Sequence, residues 1–246
     1  METLRADLHL HSALSPCAEP EMSPEGLVRA ALLADLAVIA VTDHNAADNT
    51  AAVQAAAERA GIWAIPGMEV QTREEVHLLC YFPDLEALRS FAGLVWEHLP
   101  EIPNDERIFG RQEIYWPDGR FRGTCDRLLL TSVDLGVEEV YRETTARSGL
   151  CLPAHVDRTS FGLLGQLGLV PAVFPLHRPF ELSPLGEAEA VRARYGLPPA
   201  IRFFRSSDAH RPAEVGRRPS LLRVAAASWE EFVLAVEGRE GRWLGE

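Results

Sequence analysis

Leu36-Ala37-Val38-Ile39-Ala40-Val41-Thr42-Asp43-His44-Asn45 is the stretch on which the fold turns. Six consecutive apolar residues without alternation are the pattern of a strand covered on both faces, as in parallel sheets flanked by helices. The run stops at Asp43 and His44, side chains suited to chemistry rather than packing. The same order, apolar run then polar cluster, recurs outward in both directions. Upstream, residues 4–10 read as a strand that places Asp7, His9 and His11 on one face by its period of two. Ser23-Pro24 then supplies an N-cap and a first-turn proline for a helix reaching residue 34. Downstream, an Ala-rich helix closes at Gly61, residues 62–65 form a third strand ending at Gly67-Met68-Glu69, and residues 76–82 form a fourth that carries His77. A helix over 85–99 is closed by Pro100 and Pro103.

Residues 111–130 break the rhythm. Trp116-Pro117-Asp118-Gly119-Arg120 is a turn signature between two strand-like runs, which predicts an inserted β-hairpin. Alternation then resumes with a helix over 137–148 stopped by Gly149, a strand over 150–154 leading into His155, and a Gly- and Leu-rich helix. A strand near 170–176, a helix over 185–195 and a strand over 201–204 follow, the last running into Ser206-Ser207-Asp208-Ala209-His210. Residues 229–237 read as a terminal helix. No repeat, low-complexity tract or linker divides the chain, so residues 1–246 are expected to form one α/β domain. The number of strand–helix units predicts closure into a barrel with its site at the carboxyl ends of the strands.

Composition narrows the chemistry. Against 36 acidic residues stand 24 basic ones, all arginine, for a net charge of −12. The absence of lysine excludes a Schiff-base lysine, a P-loop and a kinase-type strand lysine. So acidic a chain is not expected to sheathe long duplex nucleic acid, which needs a basic footprint. No stretch approaches a membrane span and Met1-Glu2-Thr3-Leu4-Arg5 opens no export signal, so a cytoplasmic address is expected. Cys17, Cys80, Cys125 and Cys151 are widely spaced and suit reduced thiols.

His9, His11, Asp43, His44, Glu69, His77, His155, Asp208 and His210 all fall at or beside predicted strand ends. A lone histidine is usually a hydrogen-bonded core residue. Six of the chain's eight at equivalent topological positions point instead to a catalytic metal site, since imidazole and carboxylate together suit divalent cations. The other two carry less. His98 reads as a surface residue at a helix end, and His177, beside Arg178, as a loop histidine, with reach to a substrate as its alternative.

Asp7-Leu8-His9-Leu10-His11-Ser12, Thr42-Asp43-His44, Gly67-Met68-Glu69, His77, Ala154-His155-Val156-Asp157-Arg158 and Ser207-Asp208-Ala209-His210 resemble, in order, the motifs of the polymerase and histidinol phosphatase (PHP) superfamily. The resemblance spans residues 7–210. It implies a distorted (β/α)7 TIM-like barrel, two or three divalent metal ions (zinc, manganese or iron) and, most often, hydrolysis of a small phosphorylated substrate by metal-activated water. By that analogy His9, His11, Glu69 and Asp208 hold one ion, Glu69 with His77 and His155 a second, and His44 with His210 a third. Cys17 falls where relatives commonly supply another histidine, and as a ligand it would favour zinc; a free thiol is the alternative. Arg158 resembles the arginine that many phosphatase members place after the metal-binding histidine, suited to a phosphate oxygen; a surface ion pair is its alternative. A third ion or its ligand His210 is expected to stabilise the leaving alkoxide, and Asp7 and Asp43 to serve as marginal ligands or to orient imidazoles by accepting their free N–H. Two other readings stay open: hydrolysis of a C–N bond at the same centre, as in amidohydrolases, and a non-catalytic, metal-stabilised module. The second is disfavoured because the chain stops shortly after the last motif. Substrate identity and oligomeric state are left open by the sequence.

Overall fold

In the computed structural model, which describes residues 1–245, a seven-stranded sheet curls strongly around one apolar core. In chain order the strands are β1 (Glu2–Leu10), β2 (Val38–Val41), β3 (Trp63–Gln71), β4 (His77–Tyr81), β5 (Glu113–Tyr115), β6 (Phe121–Thr124), β7 (Leu150–Pro153), β8 (Phe180–Leu182), β9 (Phe203–Arg205), β10 (Ser220–Val224) and β11 (Trp243–Gly245). The helices are α1 (Pro24–Leu33), α2 (Thr50–Ala60), α3 (Leu85–His98), α4 (Glu106–Phe109), α5 (Val137–Ala146), α6 (Leu163–Leu167), α7 (Ala188–Tyr195) and α8 (Trp229–Glu237). The sheet order is β11-β10-β1-β2-β3-β4-β7. Strands β8 and β9 form a separate parallel pair lying beside β7 and β11, so they bridge the gap between the two sheet edges.

The expected all-parallel alternation holds only in part. β1, β2 and β3 are parallel, but β4 returns antiparallel from β3, β7 is antiparallel to β4, and β10 and β11 extend the other edge antiparallel. The link between β3 and β4 is too short for a crossover helix, which forces a hairpin. β3 also runs well past residue 65, carrying Glu69 within it. The strand expected near 170–176 is a loop, because Pro171 and Pro175 remove ladder donors; the strand is β8, after Pro179. β10 and β11 were not anticipated. The inserted hairpin is present as β5 and β6, a two-stranded sheet of its own. After α5 the left-handed residue is Ser148 (φ 58°) rather than Gly149.

Local signals explain the elements that frame the site. The Ser23 side chain caps α1 by accepting from Gly26 N–H, and Gly61 ends α2 at φ 71°. Leu8, Val38, Ala40, Ile65, Leu79 and Phe204 fill the inside of the curl, and α8 closes its far end. There Phe232 packs on Trp63 at the start of β3 and on Tyr81 at the end of β4, with ring centroids 6.3 and 5.6 Å away. The opposite end is left to polar side chains.

Candidate metal centre

β1 delivers His9 and, one residue past its end, His11; both are fully buried. His44 follows β2 and is bridged to Glu69 of β3, with Asn45 N–H donating to the Glu69 carbonyl and Glu69 N–H to that of Asp43. Because β4 is antiparallel, its first residue, His77, opposite Gln71, arrives at the same end. His155 follows β7, and Asp208 and His210 follow β9. Three of these turns hold non-glycine residues at positive φ: Asn45 at 49°, His155 at 26° and Asp208 at 51°. Such backbone costs on the order of 1–3 kcal/mol per residue and persists only where its surroundings dictate it.

Glu69 is the hub. Its Oε1 lies 2.8 Å from His77 Nδ1 and 3.2 Å from both His9 Nε2 and His155 Nε2. Its Oε2 lies 2.9 Å from His44 Nδ1 and 3.4 Å from His11 Nε2. Asp208 Oδ1 is 3.4 Å from His9 Nε2 and 3.2 Å from His11 Nε2, while its Oδ2 meets Arg158 Nη2 at 2.7 Å.

The outer hydrogen bonds fix which ring nitrogens face inward. Glu181 Oε2 is 3.0 Å from His9 Nδ1, and a carboxylate there requires Nδ1–H to donate. Ser15 Oγ donates to Asp43 (2.7 Å), so it accepts from His11 Nδ1–H (2.9 Å). His210 Nδ1–H donates to the Asp208 carbonyl (2.9 Å). With both rings neutral, His9 and His11 turn their Nε2 lone pairs toward each other at 3.1 Å, a contact that requires either a proton on His9 or a cation between the donors. His44 Nδ1 and Glu69 Oε2 stand 2.9 Å apart yet each lacks a hydrogen-bond partner, and buried His155 Nδ1 lacks one too. Buried polar atoms are normally satisfied. The arrangement fits divalent cations held by nitrogen and oxygen. Three sets have ligand atoms within 4.8 Å of one another: His9, His11 and Asp208; His44, Glu69 and His77; and His11, His44 and His210.

The electrostatics are those of a crowded, buried cluster of imidazoles and carboxylates. Burial opposes ionisation of Glu69, yet His77, His9 and His44 hold its carboxyl well below the usual range; burial opposes that of Asp208 too, and His9 and His11 do the same there. Burial, with His210 and His44 nearby, pushes His11 well down, and burial takes His77 to about 4. His9 and His44 are pushed well up against their burial, by Glu181 and Glu69 at the first and by Glu69 and Cys17 at the second. Cys17 stands at the exposed rim; although burial of its thiol opposes ionisation, His44 and His210 lower it to about 6.

The expected ligands His9, His11, His44, Glu69, His77, His155, Asp208 and His210 thus come together, with the Cys17 thiol facing two of them. His177 does not join them. It lies after the loop that replaces the expected strand, exposed, with Nε2 2.7 Å from Glu237. His98 stays on α3, bonded to the Leu94 carbonyl. Asp7 and Asp43 accept from no imidazole: Asp7 holds Ser207 N–H and Gly216 N–H, tying down the Asp208 turn, and Asp43 acts on His11 through Ser15. The imidazole acceptors are Glu181 and Ser15, which the sequence reading missed. An acid at the centre of the apolar triplet Phe180-Glu181-Leu182 was the available signal.

A PHP domain model matches residues 7–165. The chain belongs to the PHP domain family. A search of curated proteins finds no match. Among solved structures, a lesion-specific endonuclease, endonuclease Q of Pyrococcus furiosus, superposes with a TM-score of 0.70 at 20% identity over 99% of this chain and 58% of that one. Endonuclease Q in complex with a 27-mer duplex bearing an abasic lesion gives 0.67 at 19% identity, over 98% and 58%. A proposed metal-dependent phosphoesterase of Bifidobacterium adolescentis gives 0.52 at 16% identity, over 83% and 87%. At these identities the likeness is one of fold, and this chain spans 58% of the length of the endonuclease Q chains. Its PHP fold thus occurs in a protein seen with duplex DNA, so net charge alone gives no ground for excluding that ligand. No helix among the described residues is long and apolar enough to cross a membrane.

Proposed function

We propose that this PHP protein is a metal-dependent phosphoesterase. The observation that carries the reading is the Arg158–Asp208 contact: one guanidinium reaches a carboxylate of the donor cluster and also lines the cavity of about 440 Å³ onto which the cluster opens, beside Cys17 and His210. A planar guanidinium at a divalent-ion site is suited to bidentate contact with phosphate oxygens.

His9, His11, Glu69 and Asp208 would hold one ion, Glu69 with His77 and His155 a second, and His44 with His210 and Cys17 a third. Bound divalent ions would supply a water ionised at neutral pH and positive charge beside the phosphoryl oxygens. The chain's own groups do the rest. Glu181, Ser15 and the Asp208 carbonyl keep three imidazoles in the tautomer that presents Nε2 inward. Arg158 orients the phosphate from the cavity wall, and His210, on the same wall with its Nδ1–H given to the Asp208 carbonyl, would act on the leaving oxygen through the ion it holds. No protein nucleophile is required. Zinc, manganese and iron all suit the nitrogen and oxygen donors, and Cys17 tips the third position toward zinc. A small phosphorylated molecule fits the cavity, and a nucleic-acid strand is not excluded by a rim that carries Arg158, Arg211 and Arg217.

The test is a panel of phosphomonoesters, phosphodiesters and cyclic amides with added Mn²⁺ or Zn²⁺. Phosphate-ester turnover abolished by Glu69→Ala and by Asp208→Ala is the expected result. Turnover of amides alone would overturn it in favour of C–N hydrolysis, and metal retention without turnover of any substrate would favour the non-catalytic module.

A further inference from the structure

A cavity of about 740 Å³ lies between α3 and the inserted β5–β6 hairpin and shares no lining residue with the one at Arg158. Its volume suits a small organic molecule, and nothing in the proposed hydrolysis uses it. The apolar wall is built from Ala92 and Trp96 of α3 with Ile102 and Ile114, and it leaves Trp96 41% and Ile102 45% exposed. The charged side chains around it are mostly acidic: Asp48, Glu101 and Asp126 stand against Arg127 alone. Arg127 is already engaged, by Glu101 at 3.3 Å and by the face of Trp96, 4.1 Å from the ring centroid. Asp48, just before α2, and Asp126, just after β6, have no ion-pair or hydrogen-bond partner for their carboxylates among the described residues. Both lie close enough to the Cys125 thiol, on the same wall, to add to burial in pushing its ionisation up.

Gly93 is the second observation. It sits inside α3, where glycine weakens a helix. Its φ is not positive, and a Cβ added there would meet nothing within 4 Å, so neither the backbone nor packing within the chain calls for glycine. What its missing side chain leaves open is the cavity, beside Trp96 one turn along the helix. The walls are also held in place without a ligand. Asn49 donates to the Glu113 carbonyl and accepts from Tyr115 N–H, and Gln112 donates to the carbonyls of Cys125 and Arg127, so the root of the hairpin is fastened to the barrel.

We infer that this cavity binds an organic cation, an alkyl or aryl amine whose ammonium sits between Asp48 and Asp126 and whose apolar body lies over Gly93 against Trp96, Ile102 and Ile114. A bare metal ion does not fit: among the described residues, no three ligand atoms here come within 4.8 Å of one another, as they do in the donor cluster. Past Asp48 the cavity continues into a narrower arm of about 300 Å³ that carries Arg89 and Arg122, the latter stacked on Trp116 at 4.6 Å. Those guanidiniums repel a cation and confine it to the Asp126 side. Such a site stands whether or not the donor cluster hydrolyses phosphate esters.

The experiment is calorimetric titration of the full chain with phenethylamine, with its neutral counterpart 2-phenylethanol and with the anion 3-phenylpropionate, and with hexylamine for an alkyl body. Wild type is expected to bind phenethylamine saturably and about fivefold or more tighter than the neutral and anionic compounds, the scale of two exposed ion pairs. D48N/D126N, which keeps shape and removes both charges, should erase that preference. G93L fills the open space and should abolish binding without lowering the melting temperature, because leucine favours a helix over glycine. No saturable binding of either amine by wild type overturns the site. So does equal affinity for the three phenyl compounds, a preference that survives D48N/D126N, or unchanged affinity in folded G93L.

Discussion

Replacing Glu181 by Gln changes no shape and removes one charge, which makes it a sharp probe of how the centre is held. Glu181 is buried; its carboxylate accepts from His9 Nδ1–H at 3.0 Å and from His155 N–H at 2.9 Å. Both donors meet Oε2, so a glutamine oxygen placed there accepts from both, while its NH2 takes the Oε1 position and faces the same His9 Nδ1–H, 3.2 Å away. Two losses follow. His9 becomes a poorer ligand without the anion behind it, and outer-shell changes of this kind cost about 10–100-fold in metal affinity, or roughly 1.4–2.7 kcal/mol at 1.36 kcal/mol per tenfold. The amide NH2 also sets a donor against the buried His9 Nδ1–H at the Oε1 position, which lowers the stability of the metal-free protein by about 1–3 kcal/mol. Chelator-competition titration with Zn²⁺ and Mn²⁺ measures the first, and urea denaturation of chelator-treated protein the second. Wild-type affinity in a folded Glu181→Gln variant would refute the argument that Glu181 sets the His9 tautomer and basicity.

Cys17→Ser is expected to lower the ratio of zinc to manganese taken up when both are offered, since it removes the soft donor facing His44 and His210, and elemental analysis after mixed loading reads it. Phe232→Ala, deep in the end of the sheet closed by α8, should cost about 3–5 kcal/mol in urea denaturation. Glu231 is held down to about 2 from an ordinary 4.5 by hydrogen bonds from Arg242 and Ala225 N–H. Its folded-state value is depressed, so its contribution is complete above about pH 4.5 and is lost as pH falls toward 2. Glu231→Gln should therefore flatten the decline of stability with falling pH across that window.

The donor cluster was legible because its residues are chemically unlike their neighbours: His9, His11, His44 and His155 each interrupt or end an apolar run. The strand directions were not. An apolar run over 76–82 reads alike whether the strand is parallel or antiparallel, and only the short 72–76 connection betrays the hairpin that puts His77 at the correct end. Glu181 escaped notice because its strand has three residues and follows a proline-broken loop whose apolar residues imitate a strand. Asp7 and Asp43 were seen as supporting residues, but which donors they accept from depends on the turns after β1 and β9, which lie far apart in sequence. His177 was drawn toward the site by a strand that does not form.

On the proposed reading, the side chains around Glu69 form a multinuclear divalent-metal centre on which hydrolysis depends. The direct measurement is metal content per chain by inductively coupled plasma mass spectrometry, taken with phosphate release on the same samples before chelation, after it and after metal return. At least two equivalents per chain, loss of activity with the metal, and recovery of both together are expected, with Glu69→Ala failing to recover either. A folded wild-type protein that retains less than one equivalent after Zn²⁺ and Mn²⁺ loading, or that releases phosphate equally well when stripped, would contradict it.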